Sequence, residues 1–125
     1  MEQHNGRITT HVLDMSRGVP AAGIRIELYF IERTGAEASS TKVAEMLTNA
    51  DGRLDQPMFA DGKLQTGEYE LLFHVHPYFA HSNKNNPPSC LWTAVPIRFA
   101  VSDATSHYHI PLLIAPGGYS TYRGS

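Results

Sequence analysis

Residues 23–31 alternate in character, with Ile24, Ile26, Leu28 and Phe30 on one side and Arg25, Glu27 and Tyr29 on the other. One face apolar and one polar at a period of two is the mark of a half-buried strand. Residues 67–75 repeat the pattern through Tyr69, Leu71, Phe73 and Val75, and residues 95–101 through Ile97, Phe99 and Val101. Residues 7–14, 41–48, 108–114 and 119–123 read as further strands. Turn signals lie between them: Ser16-Arg17-Gly18-Val19-Pro20, a polar stretch over residues 33–40 carrying Gly35, Asn49-Ala50-Asp51-Gly52, and Ala115-Pro116-Gly117-Gly118. Asp-Gly readily supplies the positive φ that a tight turn needs. Short strands with turns at this spacing predict an all-β sandwich or barrel. Residues 78–86, after Pro77, break the alternation and predict one or two helical turns. Residues 83–88 are polar and rich in proline, which predicts a loop.

The 125 residues suit one domain over residues 1–125, long enough to bury a core without covalent support. A formal net charge of −2 leaves no broad basic face, which argues against nucleic acid as a partner. No apolar run is long enough to cross a bilayer, so no membrane is expected as a partner. The start, Met1-Glu2-Gln3-His4-Asn5-Gly6, is polar and lacks the apolar stretch of a signal peptide. Cys90 is the sole cysteine, so no internal disulfide can form; a reducing compartment, the cytoplasm, is the expected location.

Common catalytic signatures are missing. The chain has no Gly-rich phosphate cradle, no Gly-x-Ser-x-Gly and no cysteine pair, and Cys90 beside Trp92 reads as packing. Histidine is the abundant reactive type, with seven in the chain. His11 lies mid-strand in Ile8-Thr9-Thr10-His11-Val12-Leu13-Asp14, and His109 lies in His107-Tyr108-His109-Ile110-Pro111. Each alone is more often a hydrogen-bonded structural residue than a catalyst. His74 and His76, like His107 and His109, are spaced i, i+2, which in a strand puts both rings on one face. Such a pair can share a metal, but no cysteine or clear carboxylate joins either pair to complete a site. Arg53 follows the Asp-Gly turn, where it is either a solvated strand start or a planar fork of donors for a carbonyl or carboxylate. The last residues, Tyr119-Ser120-Thr121-Tyr122-Arg123-Gly124-Ser125, are richer in aromatic and β-branched types than a disordered tail would be.

Taken together, Thr9-Thr10-His11-Val12-Leu13-Asp14, Thr48-Asn49-Ala50-Asp51-Gly52-Arg53, Tyr108-His109-Ile110-Pro111-Leu112-Leu113 and the terminal Tyr122-Arg123-Gly124-Ser125 resemble the transthyretin-like family. Within it they look like the 5-hydroxyisourate hydrolase branch, of which the terminal Tyr-Arg-Gly-Ser is the specific mark. The resemblance runs from Ile8 to Ser125. It departs in the loops, at His76-Pro77, over residues 83–92 and at Gly117-Gly118.

The resemblance implies a sandwich of two four-stranded antiparallel sheets, about eight strands in all, with one short helix after the fifth. It implies a homotetramer with sites in the channel between dimers, and hydrolysis of a small-molecule substrate, 5-hydroxyisourate, without metal or other cofactor. The family's catalytic residues carry over to His11, Arg53 and His109, with Ser125 contributing its hydroxyl or a terminal carboxylate. Substrate contacts carry over to His11, Arg53, Tyr122, Arg123 and Gly124.

Opening a cyclic amide with water requires a proton acceptor for the water, stabilisation of the oxygen that gains charge, and a proton for the leaving nitrogen. Histidine, with an unperturbed pKa of about 6.5, suits the proton steps, and arginine suits the charge. Which histidine is the base stays open at this level. Two other readings compete: a carrier of a small aromatic ligand, and a metal-binding sandwich that uses the paired histidines.

Overall fold

Each apolar alternation becomes a strand whose inward side chains meet those of a facing sheet. The computed structural model describes residues 6–82 and 89–125. Among these residues the elements run β1 (Arg7–Thr9), β2 (Val12–Asp14), β3 (Val19–Pro20), β4 (Arg25–Thr34), β5 (Glu37–Leu47), β6 (Gly67–His74), helix α1 (His76–Ser82), β7 (Val95–Val101), β8 (His107–His109), β9 (Leu112–Ala115) and β10 (Gly118–Thr121).

One sheet has the order β5-β4-β6-β7, with every neighbour antiparallel. The other has the order β10-β9-β2-β3, and the β1–β8 pair continues its central β2–β9 line. Ile26 and Leu28 of β4, Leu71 and Phe73 of β6, and Val95 of β7 face Ile8, Val12, Tyr108, Leu112 and Ile114 from the opposite layer in one core. Burying each such large apolar side chain contributes about 1.5–3 kcal/mol.

The sandwich and its short helix are as the sequence predicts. The expectation of antiparallel pairing holds for the β5-β4-β6-β7 sheet but not throughout the other, where β1 runs parallel to β8 and β2 parallel to β9; alternation carries no information about strand direction. These lines bring the first and last strands together. Pro111 has no N–H to donate, so the ladder is interrupted between β8 and β9. Ile110 N donates to Thr9 O at 2.9 Å, Leu112 N donates to His11 O at 2.9 Å, and the Thr10 hydroxyl donates to Ile110 O at 2.6 Å across the gap.

Three local expectations need correction. The polar stretch over residues 33–40 is not a loop: β4 runs to Thr34, and β5 starts at Glu37 after a two-residue turn. Here the hairpin extends into solvent on both faces, so the ladder persists where apolar alternation has stopped; Arg33 Nε, on β4, donates to Glu68 Oε1 of neighbouring β6 at 2.8 Å. The helix begins at His76 rather than residue 78, because proline is tolerated in a first helical turn. Its expected continuation beyond Ser82, and the expected loop over residues 83–88, lie outside the described residues. His74 and His76 do not share a strand face, since β6 ends at His74 and α1 starts at His76.

Candidate functional site

In β1 and the residues that follow it, Ile8, Thr10 and Val12 are buried, so Arg7, Thr9 and His11 project to the outer face of the sheet. In β8, Tyr108 is buried and His107 and His109 project the same way. The parallel register sets Arg7 beside His107 and Thr9 beside His109. A stripe of Arg, Thr and His on one strand therefore stands against a pair of histidines on its neighbour.

Arg53 is delivered by the Asp-Gly turn. Asn49 Oδ1 accepts from Asp51 N at 2.9 Å and from Arg53 N at 3.1 Å, closing the turn on itself. Gly52 has φ +73°, and a Cβ there would lie 2.3 Å from Val12 O, so only glycine allows this approach to β2. The carbonyl of Gly52 then accepts from Val12 N at 2.8 Å, and Arg53 forms an isolated antiparallel bridge with His11.

The last residues come in from the other side. Gly124 bridges His109, donating its N–H to His109 O at 2.8 Å. A Cβ on Gly124 would lie 2.5 Å from His109 Cδ2, so the ring occupies the space that a side chain would need.

These elements enclose a cleft of about 330 Å³ lined by Arg53, His109, Ser125, Thr9, His107 and Arg7 among others. Three of the sequence-predicted residues, Arg53, His109 and Ser125, line it directly. His11 stands at its margin, bridged to Arg53 and close enough to His109 to influence its charge. Tyr122 and Arg123 instead line a neighbouring groove of about 280 Å³ with Tyr108 and Phe99. Arg123 lies over the Tyr108 ring, 4.5 Å from its centroid, and donates to His107 O at 3.2 Å. In this chain it buttresses the histidine strand.

Hydrogen bonds orient the histidines. His11 Nε2 is 2.9 Å from the carbonyl oxygen of Asp51. A carbonyl only accepts, so Nε2 carries a hydrogen, and in the neutral ring Nδ1 keeps its lone pair. Thr9 Oγ1 lies 2.6 Å from His107 Nε2 and 2.7 Å from His109 Nδ1. Burial pushes the His109 pKa below the ordinary histidine value, and the neighbouring His107, Arg53 and His11 push it the same way. Burial, then Arg7 and Arg123, lower that of His107.

The cleft thus sets two imidazoles with lowered pKa values beside a permanent cation, a set suited to polarising a carbonyl and moving a proton. Among the described residues no group of three or more His, Cys, Asp or Glu side chains is arranged to hold a metal ion. Sequence reasoning passed over Arg7, Thr9 and His107 as parts of this cleft. The available signal was alternation: Arg7 and Thr9 lie four and two positions before His11, and His107 lies two before His109.

A family model described as the HIUase/Transthyretin family matches residues 8–124. The chain belongs to this family. It is 48% identical to the 5-hydroxyisourate hydrolase of Halalkalibacterium halodurans over 121 residues, 97% of this chain and 99% of that protein. Its fold matches the crystal structure of (S)-allantoin synthase with a TM-score of 0.85 and 35% identity, covering all of this chain. This chain spans 46% of that one, so it corresponds to about half of the synthase. It also matches Klebsiella pneumoniae 5-hydroxyisourate hydrolase with a TM-score of 0.75 and 36% identity, over 96% of this chain and 94% of that one.

Proposed function

We propose that this protein hydrolyses 5-hydroxyisourate to 2-oxo-4-hydroxy-4-carboxy-5-ureidoimidazoline in urate degradation. The reading is carried by one observation: on a scaffold 48% identical to a 5-hydroxyisourate hydrolase, His109, Arg53 and Ser125 line one cleft with His11 at its edge. The reaction adds water to a cyclic amide. Arg53 offers fixed positive charge to the oxygen that becomes anionic, and the two histidines offer a lone pair and an N–H. Ser125 adds a polar group at the wall where the substrate would lie. Tyr122 and Arg123, from the neighbouring groove, shape the approach to it.

The whole chain acts as one domain, assembled as a homotetramer and working in the cytoplasm. The tetramer is supported by two sheet edges, β7 and β10, and by the exposed aromatic side chains of Tyr119 and Tyr122 beside the second edge. The location is supported by the lone Cys90. No helix among the described residues is long and apolar enough to cross a membrane.

The deciding experiment follows the ultraviolet absorbance of freshly made uricase product. The native protein should speed its decay and heat-killed protein should not. Equal rates from the two would refute the activity.

A further inference from the structure

The cleft contains a line of hydrogen bonds whose direction is determined by its outer end. Arg7 Nη2 lies 3.5 Å from His107 Nδ1, and Thr9 Oγ1 connects His107 Nε2 to His109 Nδ1 at 2.6 and 2.7 Å. A guanidinium only donates, so His107 Nδ1 accepts. A neutral imidazole has one N–H, which must then sit on His107 Nε2 and point at Thr9 Oγ1. Thr9 accepts it; among the described residues the partner left for the hydroxyl's own hydrogen is His109 Nδ1. Donating it there leaves the His109 hydrogen on Nε2. The opposite direction would require His107 to accept at both nitrogens, which a neutral ring cannot do.

We propose that Arg7, His107 and Thr9 are positioning residues that hold His109 as the Nε2–H tautomer, making it a neutral hydrogen-bond donor to the oxygen that gains charge during hydrolysis. The catalytic part of this inference rests on the hydrolase reading above.

His11 is set the opposite way, with Nε2–H committed to Asp51 O and Nδ1 open as an acceptor. The two histidines then divide the chemistry. His11 Nδ1 takes a proton from water as the water oxygen bonds to the amide carbon. The carbonyl oxygen becomes anionic and receives hydrogen bonds from His109 Nε2–H and Arg53. As the carbon–nitrogen bond breaks, protonated His11 returns that proton to the leaving nitrogen. His109 keeps its own hydrogen throughout, and one water is consumed. Lowered pKa values at both His107 and His109 favour the neutral rings this scheme needs; beside burial, Arg7 and Arg123 act on His107, and His107, Arg53 and His11 act on His109.

The test combines long-range ¹H–¹⁵N spectroscopy of the imidazole rings with steady-state kinetics on the full chain. In wild-type protein at a pH where the rings are neutral, His107 and His109 should both show a protonated Nε2 and a bare Nδ1. Thr9→Ser, which keeps the hydroxyl, should preserve that signature and the turnover. Thr9→Val, of similar size but without the hydroxyl, should mix the His109 tautomers and lower kcat by ~10-fold or more with little change in KM. A wild-type His109 protonated on Nδ1 overturns the proposal, and so does a Thr9→Val protein with unchanged tautomer and kcat. If the wild type shows no hydrolase activity, the role of His109 in that reaction falls with the functional reading. The wild-type spectra decide the tautomer chain independently of that result and of how the variants fold.

Discussion

At the scale of single residues, the site depends on close contacts that allow one side chain only. Gly124 is the sharpest case. Its φ is not in the left-handed region, so its need for glycine comes from the His109 ring, which a Cβ would meet at 2.5 Å. Gly124→Ala should push that ring out of place and lower kcat/KM by up to ~10²-fold, with a melting temperature close to wild type. A kinetically normal variant would show that ring position does not matter. His109 supplies a second prediction. Burial and three cationic or titratable neighbours lower its pKa, so its NMR titration midpoint should fall below the ordinary histidine value of about 6.5. The ring would then stay neutral at neutral pH and become charged only as pH falls through that lower midpoint. A midpoint above the ordinary value would contradict the geometry. The identities of His11, Arg53 and His109 as candidates were legible from the resemblance. The parts played by Thr9 and His107 were not, because a threonine hydroxyl between two rings exists only once distant strands have paired.

At the scale of elements, α1 is fastened to the sheet through a buried carboxylate. Asp14, at the end of β2, is fully buried. Its Oδ1 accepts from Ser16 N at 3.0 Å, Ser16 Oγ at 2.6 Å and Arg17 N at 3.3 Å, while Oδ2 accepts from Tyr78 OH at 2.8 Å. Burial, and then Asp14 itself, push the Tyr78 pKa up to about 12, so the phenol remains a donor across the working range. Tyr78→Phe would leave Oδ2 without that donor and should destabilise the fold by about 1–3 kcal/mol in urea unfolding. A loss within error of zero would mean that this bond contributes nothing net. The sequence could not announce this tie: Asp14 looks like an ordinary strand-end residue before a turn. The helix itself was legible, within two residues at its start, from Pro77 and the break in alternation. The long β4–β5 hairpin was not, since strands solvated on both faces lose the alternation by which strands are recognised.

At the scale of the whole molecule, the outer face of the β5-β4-β6-β7 sheet carries a charge cluster centred on Glu27, which is 7% exposed. Glu27 Oε1 lies 2.6 Å from His74 Nε2, and Oε2 lies 3.3 Å from Arg25 and 3.5 Å from Lys42. The His74 hydrogen bond is the main influence holding its pKa below the ordinary carboxylate value; desolvation opposes this, and Arg25 and Lys42 reinforce it. A carboxylate with a depressed folded-state pKa contributes stability above its unfolded value near 4.5, and that stability is lost as pH falls through the folded value. The melting-temperature advantage of wild type over Glu27→Gln should therefore be full near neutrality and shrink below about pH 4.5. A gap independent of pH would refute the linkage. The proposed homotetramer predicts a sedimenting species of four chains, and a monomer at assay concentrations would refute it.

The sequence by itself determined the strand periods, the Asp-Gly turn and the inventory of residue types able to perform hydrolysis, because each depends on neighbours within a few positions. Only the tertiary structure decided that β1 and β8 run side by side in parallel. That pairing sets Thr9 against His109, 100 positions away, and Arg7 against His107. Tautomers follow from partners, partners follow from strand pairing, and alternation is the same whichever way a strand runs.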